Sequence, residues 1–202
     1  MRKLSIDFYQ RANVLQIAKE LLGKILVTKW EGIETSGRIV EVEAYNGVND
    51  KASHAAGGRR TKRNEVMYGK GGVTYVYLCY GIHHLFNVVT NERETPHAIL
   101  IRALEPLKGI DVMLERTNKK QLDNTLTRGP GNVSKALGIS FKHHSGHSLL
   151  SKDLFIAEDN FVLNRKDIAA SPRIGVDYAG DDASLPFRFY IKGNPFVSGK
   201  PK

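Results

Sequence analysis

The chain has 202 residues, of which 41% are hydrophobic, and a formal net charge of +9; this length and composition predict a single domain, residues 1–202, with a sizeable core. No apolar run approaches the ~20 residues that a membrane span needs, so the sequence predicts no membrane association. The one cysteine, Cys79, cannot form an internal disulfide, which favours a reducing, cytoplasmic compartment.

The positive charge is concentrated in the middle of the chain. Residues 51–150 carry fifteen Lys or Arg against seven Asp or Glu, whereas basic and acidic side chains nearly balance on either side. A localised basic region favours a polyanionic partner such as nucleic acid. Charge alone leaves open the alternative that these residues form a solvated surface.

The first forty-five residues predict one helix and two strands. Residues 10–24 place apolar side chains along one helical face, and Gly23 is suited to end the helix. Strands are predicted at residues 24–30 and 35–45. Alternation in the second strand puts four side chains on one face, namely Ile39, Glu41, Glu43 and Tyr45.

Residues 46–72 follow without regular periodicity and form a long basic loop. They contain six Lys or Arg and one histidine, His54, and a loop of this length within a compact domain is usually functional or disordered. Glu43 lies where the preceding strand meets this loop, so its carboxylate is a candidate general base. The alternative is that Glu43 simply faces solvent, as most strand glutamates do.

The rest of the chain predicts mostly strands. Three clear strands are predicted at residues 73–80, 84–90 and 98–106, and weaker strands at 153–159, 172–178 and 187–193. Short helices are predicted at residues 108–117 and 133–139, the second capped by Asn132. Because strands and helices do not alternate as βαβ units, we predict an α+β fold with a curved, largely antiparallel sheet flanked by helices.

The strand at residues 73–80 ends on an aromatic residue. Tyr75 and Tyr77 share one face, and half-buried packing is sufficient to explain Tyr75. Tyr80 points the other way and stands beside Gly81, where the chain is expected to turn and offers little core for a ring to enter. An exposed aromatic ring among Lys and Arg suits nucleic acid, because rings stack on bases while cations meet phosphates.

Other motifs give weaker signals. His143, His144 and His147 are interrupted by a Ser-Gly pair and have no neighbouring Cys or acidic cluster, so no metal site is predicted. The glycine-rich segments lack a nucleotide-binding pattern, and no cofactor is predicted. In residues 128–135 a helix N-terminus and Lys135 are suited to hold a phosphate, with a plain helix cap as the alternative.

Several longer segments identify a family. "GRIVEVEAYNGVNDKASHAAGGRRTKRNEVMY", followed by "VYLCYGIHHLFNVVT" and "LIRALEP", closely resembles the alkyladenine (3-methyladenine, methylpurine) DNA glycosylases. The resemblance continues through "RGPGNVSKALGI", "PRIGVDYAG" and "PFRFYIKGNPFVS" and covers nearly the whole chain from about Asp7. It implies a monofunctional enzyme of base excision repair that flips damaged purines out of duplex DNA and hydrolyses the N-glycosidic bond, leaving an abasic site.

The resemblance also implies roles for individual residues. Glu43 matches the general base that activates a water, Arg102 matches the arginine that orients this water, and the backbone near Ile174 matches a carbonyl that also holds it. The base pocket is expected to consist of Ile174 together with three rings and an amide that disfavours normal guanine: Tyr45, His54, Tyr77 and Asn87. Tyr80 matches the side chain that fills the gap left by the flipped base, and Ile82 stands beside it.

The expected partner is double-stranded DNA that contains damaged purines, bound by a monomer. Phosphate contacts are expected from basic residues of the loop and from the later helix: Arg59, Arg60, Lys62, Arg63 and Lys135. The expected lesions are 3-methyladenine and 7-methylguanine, with hypoxanthine and ethenoadenine as further candidates, and the loose fit of residues 92–97 and 141–151 to the family leaves the lesion range open. The alternative function is a non-catalytic module that binds distorted or single-stranded nucleic acid.

Overall fold

The computed structural model describes residues 1–199, and the nine strands found there belong to one antiparallel sheet that is flanked by helices. The order along the sheet is β1-β7-β2-β3-β6-β5-β4, with β9 paired to β3 and β8 paired to β9. The strands are β1 Arg2–Lys3, β2 Ile25–Trp30, β3 Ile33–Tyr45, β4 Thr74–Cys79, β5 His83–Thr90, β6 His97–Lys108, β7 Leu154–Glu158, β8 Ile168–Ser171 and β9 Arg188–Ile191. The predicted α+β fold is confirmed; residues 200–202, which the one-domain prediction includes, lie outside the described residues.

The helices are short and lie between the strands. They are α1 Ile6–Tyr9, α2 Val14–Leu21, α3 Ile110–Thr117, α4 Pro130–Ala136 and α5 Phe141–His144. Single turns of 3-10 helix occur at Gly47–Asn49, Ala56–Gly58, Glu65–Tyr68, Asn124–Leu126 and Arg165–Asp167, and a longer kinked one at Asp177–Ser184. Within residues 1–199, no helix combines the length and the apolar character needed to cross a membrane.

Helix α2 forms as the sequence predicts. The Asn13 side chain accepts a hydrogen bond from the Gln16 backbone N–H and so caps the first turn. The face that carries Val14, Ile17, Ala18 and Leu21 is buried. Gly23, with a φ of +83°, follows the last helical turn in a left-handed conformation that favours glycine.

Strand β3 lies at the centre of the sheet and has neighbours on both edges. Its first half, Ile33–Arg38, pairs with β2, and Glu41–Glu43 then pair with β9 on that same edge. Strand β6 runs along the other edge. Glu41 and Glu43 are therefore enclosed by hydrogen-bonded strands on both sides, and both side chains are fully buried.

Two of the three register shifts between β3 and β6 lie beside Glu41 and change which side chains face the same way. Ile39 pairs with Leu104 and Glu41 with Ala103, so Val40 is an extra residue in β3. The prediction that Ile39 shares a face with Glu41 is wrong, because this bulge lets Ile39 pack in the main core with Val42 and Ala44. Val42 then pairs with Ile101, which makes Arg102 an extra residue in β6.

One row of directly paired residues crosses five strands. Glu43 pairs with Arg188 on one side and with Leu100 on the other, and Leu100 pairs with Asn87, which pairs with Tyr75. Directly paired residues carry their side chains on the same face of a sheet. The register alone thus places a glutamate, an amide and a tyrosine from distant parts of the chain on one surface.

The two faces of the sheet have different coverings. Helices α2, α3 and α4 bury one face and form the main core. A smaller apolar cluster lies on the other side, where Ala55, Met67 and Tyr68 of the basic loop pack against Tyr75, Val89 and Ala98. The loop at residues 46–72 is therefore folded down onto the face that carries Glu43.

Two local predictions are wrong. Residues 172–178 do not form a strand; β8 ends at Ser171, and Arg173 instead places its buried guanidinium on Asp50 and the Ala44 carbonyl. Asn132 does not cap α4, because Pro130 at the first helical position and Gly129 at the cap already begin the helix. The Asn132 amide donates to the Thr125 and Arg128 carbonyls instead.

Candidate active site

Glu43 is held near the end of β3 by three donors from three parts of the chain. Its Oε1 accepts a hydrogen bond from the Ile174 backbone N–H at 2.7 Å and lies 3.2 Å from Arg102 Nη1. Its Oε2 accepts from the Tyr45 hydroxyl at 2.9 Å. The side chain is fully buried, and these partners supply the polar contacts that a buried carboxylate requires.

Arg102 reaches Glu43 from the bulge in β6. Its Nε donates to Glu41 Oε1 at 2.9 Å while its Nη1 faces Glu43. Burial by itself lowers the pKa of Arg102, but the carboxylates of Glu43 and Glu41 outweigh it and raise the pKa above its usual value. Arg102 is therefore a permanent cation beside the candidate base.

Tyr45 connects the carboxylate to the open side of the site. Burial, followed by the negative charge of Glu43, raises the pKa of Tyr45 well above its usual value, so its hydroxyl stays a donor. The guanidinium of Arg173 lies over its ring, 4.8 Å from the ring centroid. The ring is thus fixed in place while its hydroxyl holds Glu43.

A cleft of about 310 Å³, including the part open to solvent at its mouth, lies next to Tyr45. Aromatic side chains and small residues line it: Tyr45, Ala52, His54, Met67, Tyr75, Tyr77, Asn87, Ala98 and Tyr178. Tyr45, His54, Tyr77 and Asn87, which the sequence analysis assigned to a base pocket, all lie in this one cleft. Its mixture of aromatic rings and a few polar groups is typical of a small-molecule site.

Two aromatic residues of the cleft were not assigned to it from the sequence. Tyr75 was explained by packing alone, yet it shares the Tyr77 face of β4 and lines the cleft floor. Tyr178 was placed in a strand that does not form; it follows the Ile174 segment, is 69% exposed, and donates its hydroxyl proton to the Ala52 carbonyl. The two-residue spacing of Tyr75 and Tyr77 in β4 could have predicted that Tyr75 also lines the cleft. The position of Tyr178 depends on long-range packing of the segment after Ile174, which has no local sequence signal.

His54 enters the cleft from the basic loop. Its Nδ1 lies 2.7 Å from the Tyr75 hydroxyl, and its ring meets the Tyr77 ring edge-on at a centroid distance of 4.6 Å. Burial, and then the positive charges of Arg63 and Arg59, lower the pKa of His54 to about 4. The imidazole is therefore neutral near pH 7, as suits a ring that packs against another aromatic group.

Asn87 presents one kind of polar atom to the cleft. Its amide nitrogen donates to the backbone carbonyls of Tyr75 and Leu85 at 3.0 and 3.2 Å. An asparagine amide has two hydrogens to donate, so both are used. The amide oxygen, an acceptor, is the atom left for a ligand in the cleft.

Tyr80 and Ile82 lie at the tight turn between β4 and β5. Tyr80 has a φ of +50°, an uncommon backbone conformation for a residue with a side chain, and Gly81 continues the left-handed turn at a φ of +74°. The Tyr80 side chain is 90% exposed and that of Ile82 is 72% exposed. Two apolar side chains therefore project from one turn with little protein around them, as a group that enters a partner would.

The basic residues expected to contact phosphates do not form one uniform group. Arg59, Arg60, Lys62 and Arg63 are all exposed, but Arg60 pairs with both Glu65 and Glu94, and Arg63 lies over the Tyr77 ring at 5.0 Å. Lys135 lies in the last turn of α4, where its amine is 3.5 Å from the Thr117 carbonyl at the end of α3. Their contacts with phosphates stay predictions.

Ile174 contributes a backbone contact that was not expected, because its N–H donates to Glu43 Oε1. The carbonyl near Ile174 that was expected to hold a water stays a prediction. Arg173 anchors this segment through a double hydrogen bond to Asp50, both side chains being buried. Within residues 1–199, no group of three or more His, Cys, Asp or Glu side chains is arranged to hold a metal ion.

Comparison with known proteins identifies the family of the chain. The family model described as "Methylpurine-DNA glycosylase (MPG)" matches residues 7–195. A Bacillus cereus strain G9842 protein named "Putative 3-methyladenine DNA glycosylase" is 50% identical over 202 residues, covering 96% of this chain and 98% of that protein. A Bacillus anthracis strain CDC 684 protein with the same name is 48% identical over the same shares of both chains.

Proposed function

Because the chain belongs to the methylpurine-DNA glycosylase family, and is thus a DNA glycosylase, we propose that it removes alkylated purines from duplex DNA by hydrolysis at a flipped nucleotide. The substrates are 3-methyladenine and 7-methylguanine, with hypoxanthine and ethenoadenine as further candidates. The observation that carries the proposal is the position of Glu43, a buried carboxylate whose hydrogen-bond partner Tyr45 lines the aromatic cleft. The product is an abasic site.

Glu43 has one position left to bind a water. Each carboxylate oxygen has about two acceptor sites; Oε1 is occupied by Ile174 N–H and faces Arg102, whereas Oε2 accepts only from Tyr45 among the described residues. A water bound to Oε2 shares that oxygen with the hydroxyl of Tyr45, whose ring lines the cleft. Arg102 places a positive charge beside this carboxylate, with its Nη1 3.2 Å from Glu43 Oε1.

The reaction is a substitution at C1′ of the flipped nucleotide. The water oxygen forms a bond to C1′ while its proton passes to Glu43, and the pair of electrons in the C1′–N9 bond leaves with the purine. An alkylated purine carries a positive charge and becomes neutral when it takes this electron pair, so it is a good leaving group. A neutral lesion such as hypoxanthine needs a proton as well and depends more on the pocket.

The cleft selects flat, electron-poor rings. Tyr45 and Tyr77 present electron-rich faces, and a cationic purine is attracted to such faces; each stacked base returns ~1–3 kcal/mol. Flipping a base costs a few kcal/mol of lost stacking, least at a damaged site. Tyr80 offsets part of this cost by occupying the gap in the duplex, as other inserted side chains do.

Replacing Glu43, the proposed general base, tests the proposal. Glu43→Gln keeps the size of the side chain but removes its basicity, and general-base catalysis contributes about 10²–10⁴-fold. We expect single-turnover excision from duplexes with one lesion each, scored as abasic sites, to fall by at least about 100-fold. Glu34→Gln, nine residues earlier in the same strand and paired with Lys29 and Lys108 rather than with Arg102, is the matched control and should leave the rate unchanged.

If Glu43→Gln excises within tenfold of the parent rate, Glu43 is not the general base. A parent that binds lesion-containing DNA but releases no base would favour the non-catalytic binding module, which the basic loop and tyrosines alone would serve; family membership favours the enzyme. A monomeric state and a cytoplasmic location stay predictions. Analytical ultracentrifugation with and without DNA tests the first of these.

A further inference from the structure

A second carboxylate, Glu41, lies beside Glu43 and makes more hydrogen bonds. Its Oε1 accepts from Arg102 Nε at 2.9 Å, from Arg188 Nε at 2.7 Å and from Ser198 Oγ at 2.8 Å, and its Oε2 accepts from the Ser198 backbone N–H at 2.6 Å. The side chain is fully buried. Glu41 is two residues from Glu43 on the same face of β3, yet with four donors it has little capacity left for a water or a substrate.

Ser198 connects this group to the segment that follows β9. Its hydroxyl donates to Glu41 and accepts from Arg102 Nη2 at 3.2 Å, so one oxygen atom bridges the carboxylate and the guanidinium. Its carbonyl accepts from Arg188 Nη2. Ser198 thus contacts three buried charged side chains that come from three different strands.

These contacts determine the direction of Arg102. Its Nε is bonded to Glu41, its Nη2 is bonded to Ser198, and its Nη1 faces Glu43 at 3.2 Å. A guanidinium is a rigid planar fork, so fixing two of its nitrogen atoms fixes the third. The position of Nη1 next to Glu43 is therefore set by groups that do not themselves touch Glu43.

We propose that Ser198, together with Glu41, is a positioning residue for catalysis: it aims Arg102 at Glu43 and so makes the segment after β9 part of the catalytic machinery. The proposal depends on the function proposed above, in which Arg102 and Glu43 handle the attacking water. A displacement of about 1 Å in such a group costs about 100-fold in rate. Losing one of the two bonds that orient Arg102 should have a smaller effect than that.

The alternative is that the cluster only fastens the chain end to the sheet. Two carboxylates and two guanidinium groups balance each other here, and removing any partner from such a buried set lowers stability. Stability and catalysis must therefore be measured separately. The structure offers a matched control, because Ser171 Oγ accepts a 3.0 Å bond from Arg188 Nη1 in the same cluster without touching Arg102.

The experiment compares Ser198→Ala, Ser198→Thr and Ser171→Ala in the full chain. We measure the single-turnover rate at saturating enzyme on a 7-methylguanine duplex, the Kd for that duplex, and the thermal midpoint. Ser198→Ala should slow excision by about tenfold with Kd within twofold of the parent. Ser171→Ala should lower the thermal midpoint about as much as Ser198→Ala does, but its excision rate should stay within twofold of the parent rate. Ser198→Thr keeps the hydroxyl, so its excision rate should be within threefold of the parent rate.

The proposal is overturned if Ser198→Ala excises at the parent rate, or if Ser171→Ala loses as much rate as Ser198→Ala. If Ser198→Ala does not fold, Ser198→Cys takes its place, because it keeps a similar side-chain volume with a weaker donor. Ser198→Cys should then slow excision by about tenfold. Failure of the function proposed above has a different result, because the parent itself then releases no base. An active parent with an unaffected Ser198→Ala variant contradicts only the positioning role.

Discussion

The Tyr45 hydroxyl donates a 2.9 Å hydrogen bond to Glu43 Oε2, and the two residues are separated by a single residue in the same strand. Residues at this spacing share a face of the sheet, so the bond needs no distant part of the chain. The ring of Tyr45 lines the cleft while its hydroxyl holds the carboxylate. One side chain therefore connects the proposed nucleobase cleft to the orientation of Glu43, the candidate general base.

Tyr45→Phe separates these two roles, because it keeps the ring and removes the hydroxyl. A hydrogen bond to a charged group contributes about 1.5–3 kcal/mol, which corresponds to about 10–100-fold in rate. We expect single-turnover excision to fall within this range while affinity for lesion-containing duplex stays near that of the parent. Tyr75→Phe removes another buried hydroxyl of the cleft, one bonded to His54 rather than Glu43, and should slow excision far less.

Acidification should destabilise the protein through His54. The pKa of His54 is about 4 in the folded chain and about 6.5 in the unfolded chain, so between these values the unfolded state binds a proton that the folded state does not. Stability from the neutral ring is complete above about pH 6.5 and is lost as pH falls towards 4. We expect the free energy of unfolding, measured with urea, to decrease less between about pH 7 and pH 4.5 in His54→Gln than in the parent. Equal decreases in the two proteins would contradict a neutral, buried His54 as the cause.

Local patterns predicted much of this molecule because they report on single elements. Alternation along β3 placed Glu41, Glu43 and Tyr45 on one face, and helix α2 begins and ends near the expected residues. The family resemblance supplied His54, Tyr77 and Asn87, and all three lie in one cleft. The sheet register brings Tyr77 and Asn87 together, whereas the basic loop contributes His54.

The rest of the site depends on long-range contacts that have no local signal. The bulge that directs Arg102 exists only in the pairing of β3 with β6. Arg173 looked like part of a strand, but its guanidinium is buried on Asp50, 123 residues away in sequence. Ser198 lies 157 residues from Glu41, and nothing in its neighbourhood indicates a buried partner.

Tyr80 should be dispensable for folding and required for excision. Its side chain is 90% exposed and its φ is +50°, a left-handed conformation that costs a residue with a Cβ roughly 1–2 kcal/mol. Tyr80→Gly relieves this strain and Tyr80→Ala does not, so the glycine variant should have a thermal midpoint at or above that of the alanine variant. Both lack the ring and should excise poorly from duplex DNA; normal excision by either would rule out the proposed insertion.

The salt dependence of DNA binding should distinguish two neighbouring basic residues of the loop. Lys62 is exposed, whereas Arg60, also exposed, is paired with both Glu65 and Glu94. A phosphate contact adds about −0.9 to the slope of log K against log salt, and a side chain that already faces two carboxylates is less available for one. We expect Lys62→Ala to reduce the slope by about one and Arg60→Ala to reduce it by less than half as much, in duplex Kd measurements between about 50 and 200 mM salt. Equal reductions would mean that Arg60 leaves its two glutamates to bind a phosphate when DNA is present.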